Sequence, residues 1–301
     1  MKMMNIKQLI PAAFLLLTFT ACSSDDVTPA TATPDGRVPI QLGYAFDETR
    51  SGTSIQNNRF DQGAILDVQI EPTAPGDQTV YELLQYQVTS TATGAMAPVK
   101  KVYPYYPVSH SNVNIYGVYP SGNLDVASFT VKTAQLNNDN YKASDLMFAQ
   151  VENQAATTNT VTLPFRHLLS KVIVRLSAGT NGENIDNSKI NLLNVATKIN
   201  FSGRGVLGAV DEASRTTINM SNDGSVGSAA IIVPQTVPSG VLIEVKLANN
   251  DIVNYKLTQT MTFESGKKYT YNIKVVEESL QVDYAVEDWI ETTDLVQNID
   301  L

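Results

Sequence analysis

Val38, Ile40, Leu42, Tyr44 and Phe46 stand at every second position of VPIQLGYAF, with small or polar residues between them. Only an extended chain puts alternate residues on one face, so the segment predicts a strand with one buried side. The same period returns in Leu66/Val68/Ile70, Val172/Val174/Leu176, Val241/Ile243/Val245/Leu247 and Tyr269/Tyr271/Ile273/Val275. Turn clusters such as NGENIDNS, SNDGSVGS and ANND separate such runs. No window supports an amphipathic helix of more than a few turns. The chain therefore reads as all-β, and its 301 residues suit two β-sandwich domains in tandem. The polar stretch Val151–Thr160 carries no apolar period and is the expected boundary, between domains at 38–150 and 160–301. No repeat of 20–50 residues points to a solenoid or propeller.

Composition removes several function classes. A 43% hydrophobic content is enough for sizeable cores, which excludes disorder of the whole chain. Lys and Arg total 21 against 30 Asp and Glu, so there is no basic field for a nucleic acid. One cysteine and two histidines are too few soft ligands for a zinc or haem site, and one cysteine forms no intrachain disulfide. The arithmetic points away from a metal or redox enzyme, and no cofactor is expected.

The N-terminus speaks to location. Lys2 and Lys7 precede the apolar run Leu9–Ala21. That run is too short to cross a hydrocarbon core of ~30 Å as a helix, but it fits a secretory signal. It ends at Ala21, followed by Cys22, the sole cysteine. The reading is a lipoprotein signal peptide at 1–21, with Cys22 as the acylated first residue of the mature chain. Phe19, three residues before Cys22, departs from the usual leucine, and a chance cysteine is the bland alternative. Several acyl chains on one residue anchor stably where a single one is marginal. Residues 22–37, rich in Ser, Thr, Pro and Asp, read as a flexible tether.

Other candidate motifs weigh toward structure. Gly203, Gly205 and Gly208 spell GxGxxG, but the following AVDEASRTT is polar and no helix is expected to aim N–H groups at a phosphate. A turn with a bulge is the better reading. His110 and His167 lack a triad pattern, and no GxSxG elbow is present. His167 reads as packing near a strand start. Asn137, Asp139 and Asp145 could line a calcium loop, although the turn glycine of an EF-hand is missing. Tyr103, Tyr105, Tyr106, Tyr116 and Tyr119 read first as rings buried between strands, and second as an aromatic platform for a glycan. Trp289, the sole tryptophan, reads as a core anchor.

Seven segments in this order, FDETRSGTSIQNNRFDQGAILDV, NIYGVYP, DLMFAQ, VTLPFRHLLSKVIVRL, AAIIVPQTVPSG, FESGKKYTYNIKV and DYAVEDWIE, together resemble the fimbrillin superfamily. Its members are lipoprotein pilins of gut and oral Gram-negative anaerobes. The fourth segment is similar to the family's Phe-x-His-x-x-Ser-Lys strand. The resemblance implies two transthyretin-like Greek-key β-sandwich domains and no enzyme activity. It also implies a lipid anchor in the outer membrane, assembly with other subunits into a surface fimbria, and adhesion to a host or bacterial surface ligand. Ser24, Asp25 and Asp26 resemble the acidic signal that sends such lipoproteins to the cell surface. In family stalk subunits an Arg-directed protease removes the first strand, and a neighbour's terminal strand fills the groove. Arg50 matches the family's Thr-Arg position, with Arg37 and Arg59 as nearby alternatives.

The residues themselves fit such an exchange. Five apolar side chains along Val38–Phe46, fully buried, would be worth roughly 8–15 kcal/mol as an upper bound. Losing them would leave an apolar groove between unpaired backbone edges, a template for another strand. The polar loop DETRSGTSIQNN that follows is a natural site for nicking. Leu295, Ile299 and Leu301 share one face of LVQNIDL as a candidate donor strand, interrupted by Gln297. The alternatives are an ordinary edge strand and an ordinary C-terminal strand. From another class, a surface glycan-binding lipoprotein that does not polymerise would use the Tyr103–Tyr119 region. A surface hydrolase lacks an acid–base pair.

Overall fold

A computed structural model describes residues 36–46, 59–77, 81–179, 184–223, 227–276 and 279–289. The expected signal peptide, Cys22, Arg50 and the Leu295, Ile299 and Leu301 segment lie outside the described residues.

The first half contains β1 (Leu42–Phe46), β2 (Ile65–Pro72), β3 (Tyr81–Ser90), β4 (Ala95–Pro98), β5 (Val113–Tyr119), β6 (Ser128–Thr130), the short helix α1 (Asn138–Ala143), β7 (Met147–Gln154) and β8 (Val161–His167). The second half contains β9 (Ser170–Ala178), β10 (Lys189–Val195), β11 (Lys198–Ser202), β12 (Val206–Val210), β13 (Thr216–Asn219), β14 (Ser221–Asp223), β15 (Gly227–Ile232), β16 (Gln235–Val237), β17 (Gly240–Lys246), β18 (Ile252–Leu257), β19 (Met261–Phe263), β20 (Lys267–Val276) and β21 (Ser279–Asp288). The all-β expectation holds.

Seven strands close into a barrel in the order β1-β4-β3-β2-β5-β7-β8, the last pairing back to β1. The closing pair is parallel and runs in register from Leu42 opposite Val161 to Phe46 opposite Phe165. Closure removes the open edges that would otherwise invite pairing with another chain. In β8 the alternation is strict: Val161, Leu163, Phe165 and His167 are buried, while Thr162 and Arg166 face water. The barrel core gathers Ile40, Leu42, Tyr44, Phe60, Leu66, Tyr86, Ile115 and Phe165, among others.

The second core lies between a five-stranded sheet, β14-β15-β9-β20-β21, and a four-stranded sheet, β13-β10-β17-β18. β9 runs through the middle of the former, and its first five residues are buried on both faces. The two cores abut through β5. There Val113 and Ile115 pack in the barrel, whereas Tyr116 and Val118 pack in the second core.

The packing divides the chain differently from the boundary expected at Val151–Thr160. Val151–Gln154 complete β7, and the residues after them lead into β8, so this polar stretch joins two barrel strands. Leu124, Phe129, Val131, Tyr141 and Leu146 already belong to the second core. β6 seals that arrangement by pairing with β11, Phe129 opposite Ile199. The stretch is polar because it is an exposed connection within the barrel, and polarity alone does not mark a division between cores.

Candidate functional site

β1 is held on both sides. Besides its ladder with β8, Tyr44 N–H donates to Gly94 O at 2.8 Å. Upstream, Ile40 N–H donates to Pro104 O at 2.8 Å, Tyr106 N–H to Val38 O at 2.9 Å, and Val161 N–H to Gln41 O at 2.8 Å. It is therefore an interior strand of the barrel, which corrects the alternative of an ordinary edge strand. Ile40, Leu42 and Tyr44 are buried, while Val38 and Phe46 are partly buried against the same core. Three full burials of this size are worth about 5–9 kcal/mol as an upper bound.

The opposite face departs from expectation. Pro39 and Gly43 are buried too, because neighbouring backbone comes close there. A Cβ at Gly43 would lie 3.1 Å from both Gly94 O and Thr160 Cγ2.

Phe60 organises the far end of this slot. It is fully buried, and its ring centroid lies 4.9 Å from Tyr44, 5.1 Å from Phe46, 4.8 Å from Tyr119 and 5.0 Å from Phe165. Tyr44 Oη donates to Phe60 O at 3.4 Å, and burial raises the Tyr44 phenol above its ordinary pKa. Sequence reasoning missed Phe60, since an isolated aromatic after a polar loop carries no period.

Beyond Phe46 lies a buried polar pair. His167 Nδ1 is 2.8 Å from Asp145 Oδ1, and Trp289 covers the imidazole. Trp289 is buried, as expected of an anchor, and the Lys171 ammonium lies 5.7 Å from its ring centroid. His167 is thus a packing residue at the end of β8 with an acid partner that spacing did not reveal.

The remaining candidates separate. Arg59 is half-buried beside Phe60, and Arg37 is exposed with its guanidinium 4.7 Å from the Tyr105 ring centroid. Asn137 caps α1 by accepting from Asn140 N–H at 2.8 Å, exposed Asp139 sits in its first turn, and Asp145 is committed to His167. The structure does not bring these three together as one ligand set. Gly203 and Gly205 lie in the tight connection from β11 to β12, where Gly205 has φ +75°, and a strand rather than a helix follows. His110 is exposed.

Tyr106, Tyr116 and Tyr119 are buried, and burial pushes the Tyr106 phenol up to about 12. Tyr103 and Tyr105 are half-buried. Tyr103 borders a groove of about 480 Å³ whose walls also include Tyr81, Leu83, Gln85, Lys100 and Val102.

Residues 49–289 match the model of the fimbrillin-like family. The chain belongs to that family. As a fimbrillin-like protein it is a fimbrial subunit, structural and non-enzymatic, whose partners are other fimbrial subunits and whose place is the cell surface. A candidate cell adhesion protein from Bacteroides uniformis shares the fold, with a TM-score of 0.68 and 21% identity over 85% of this chain and 99% of that one. A second, from Bacteroides ovatus, gives 0.64 and 20% over 85% and 97%. The tip fimbrial protein of Porphyromonas gingivalis, truncated at its C-terminus, gives 0.54 and 11% over 84% and 100%. At these identities the likeness establishes the fold. No curated protein sequence matches the chain.

Proposed function

We propose that this fimbrillin-like subunit is exported as a lipoprotein acylated on Cys22 and assembles by protease-triggered strand exchange. Cleavage at Arg50 detaches the segment carrying β1, and Leu295, Ile299 and Leu301 of a neighbouring copy enter the vacated slot. The acyl chains on Cys22 hold the subunit in the outer membrane until that cleavage, and the fimbria so built supports adhesion at the cell surface. We take the two hydrophobic cores to be the two transthyretin-like units of the subunit. The observation that carries the reading is the double pairing of β1: its departure would expose both a β4 edge and a β8 edge over an apolar floor.

The test is to nick purified full-length protein with an Arg-specific protease and examine it on unheated gels. Ladders are expected, and they should vanish in Arg50→Ala and on deletion of residues 295–301. Nicked protein that stays monomeric, while the intact chain assembles equally well, overturns the exchange. A second reading, glycan binding by an unassembled monomer, draws on the groove beside Tyr81, Tyr103, Gln85 and Lys100. Saturable binding of a defined glycan that is lost in Tyr103→Ala would favour it.

A further inference from the structure

One imidazole touches both of the ends that strand exchange must move. His167 closes β8 and is fixed to Asp145 by the 2.8 Å contact, with both side chains buried. Its ring lies on Trp289, the residue immediately after β21, with centroids 3.9 Å apart and planes 7° from parallel. Phe46, the last residue of β1, lies 6.1 Å from the same ring, within aromatic contact range. Trp289 is seated in turn by its backbone. Its N–H donates to Gly266 O at 2.7 Å, and Gly266 N–H donates to Leu169 O at 2.9 Å, two residues beyond His167.

Among the described residues His167 Nε2 and Asp145 Oδ2 have no hydrogen-bond partner. One polar contact and two ring contacts are the directional contacts of this buried ring among the described residues, and removing either ring takes one of them away.

We infer that His167 couples the seat of β1 to the seat of the C-terminal exit. Phe46 keeps the imidazole pressed on Trp289, and withdrawal of β1 loosens Trp289 and frees the chain beyond it. This rests on the strand-exchange reading and adds an order of events to it: opening the acceptor slot and releasing the donor segment become one event within a subunit.

The sole tryptophan makes the coupling measurable. In the full-length chain, Phe46→Ala should raise the exchange rate of the Trp289 amide about 2- to 10-fold, the effect of losing one aromatic contact. Trp289 emission should shift toward that of a solvated indole, and Phe46→Tyr should restore both. The amide of Ile243, on the four-stranded sheet, should stay as in wild type and so exclude general loosening. If Phe46→Ala does not fold, the same two readings are taken on nicked wild-type protein. A Trp289 that stays silent in the folded variant, or changes only together with Ile243, overturns the coupling. Ladder assembly of nicked protein with a silent Trp289 also overturns the coupling while leaving strand exchange standing. A Trp289 that responds in protein that never assembles upholds the coupling and sinks the exchange.

Discussion

A Cβ carbon at Gly94 would lie 2.2 Å from the carbonyl oxygen of Tyr44. Gly94 also accepts the Tyr44 N–H at 2.8 Å and has φ +68°, a region that costs a side-chain-bearing residue about 1–2 kcal/mol. The turn between β3 and β4 is therefore shaped to let β1 lie against it. Gly94→Ala should combine that strain with displacement of β1, lowering the barrel's melting temperature by several degrees. Gly76→Ala is the matched control, since Gly76 has φ +95° with nothing within 4 Å of its Cβ position. Thermal melts and the rate of β1 loss from nicked protein decide the matter. Equal effects at the two glycines would mean that β1 does not depend on the close approach.

Trp289 anchors the end of the five-stranded sheet. Removing a buried tryptophan typically costs ~3–5 kcal/mol, a large part of a total of ~5–15 kcal/mol. Trp289→Ala should lower the melting temperature of the second core markedly. Trp289→Phe keeps a ring on His167 and should cost less. A normal melt for the alanine variant would make Trp289 a surface feature in practice.

Burial raises the phenols of Tyr44, Tyr86, Tyr106 and Tyr119 above their ordinary value of about 10, Tyr106 to about 12. Such groups stay neutral in the folded protein while the unfolded chain ionises. Their contribution is complete below about pH 10 and is lost as pH rises through the folded values. Melting temperature should therefore hold steady to about pH 10 and then fall. Part of the tyrosinate absorbance should appear only with unfolding. Ionisation of all 13 tyrosines near pH 10, with an unchanged melt, would contradict the burial of these rings.

The strands were legible because period two is a local signal. Val38–Phe46, Leu66–Ile70 and Tyr269–Val275 all present the predicted face to a core. The burial of Gly43 was not legible, since it depends on the turn at Gly94, which lies far off in sequence. The same holds at the site. Phe46 and Trp289 could each be marked as apolar anchors, but their shared contact with His167 is made only when the fold brings both rings to the end of β8. Polar residues in the interior were the least visible, because a glutamine in a polar run looks like a loop until its partners are known.

Gln135 is the clearest such case. It sits in the segment between β6 and α1, yet it is fully buried and reaches β15 of the five-stranded sheet. Its Nε2 donates to Ile231 O at 2.7 Å and to Lys132 O at 3.0 Å, and its Oε1 accepts from Ile231 N–H at 2.8 Å. Ile231 stands opposite Lys171 of β9, so the amide completes backbone bonding on the flank of a ladder. Gln135→Leu would strand those groups at about 1–3 kcal/mol each. Gln135→Glu is the sharper probe. Ionised, it keeps the acceptor but can donate to neither carbonyl, and burial disfavours its charge. Its folded pKa should therefore lie above the ordinary value of about 4.3, so its stabilising contribution is present at low pH and lost as pH rises through the folded value. Gln135→Glu should be clearly less stable than wild type near neutral pH and recover part of the difference as pH falls toward about 4.3, whereas Gln135→Leu should show no such recovery. Denaturant melts of the three proteins across that pH range are the measurement. A glutamate variant as stable as wild type at neutral pH would mean that this amide does not hold the segment to the sheet.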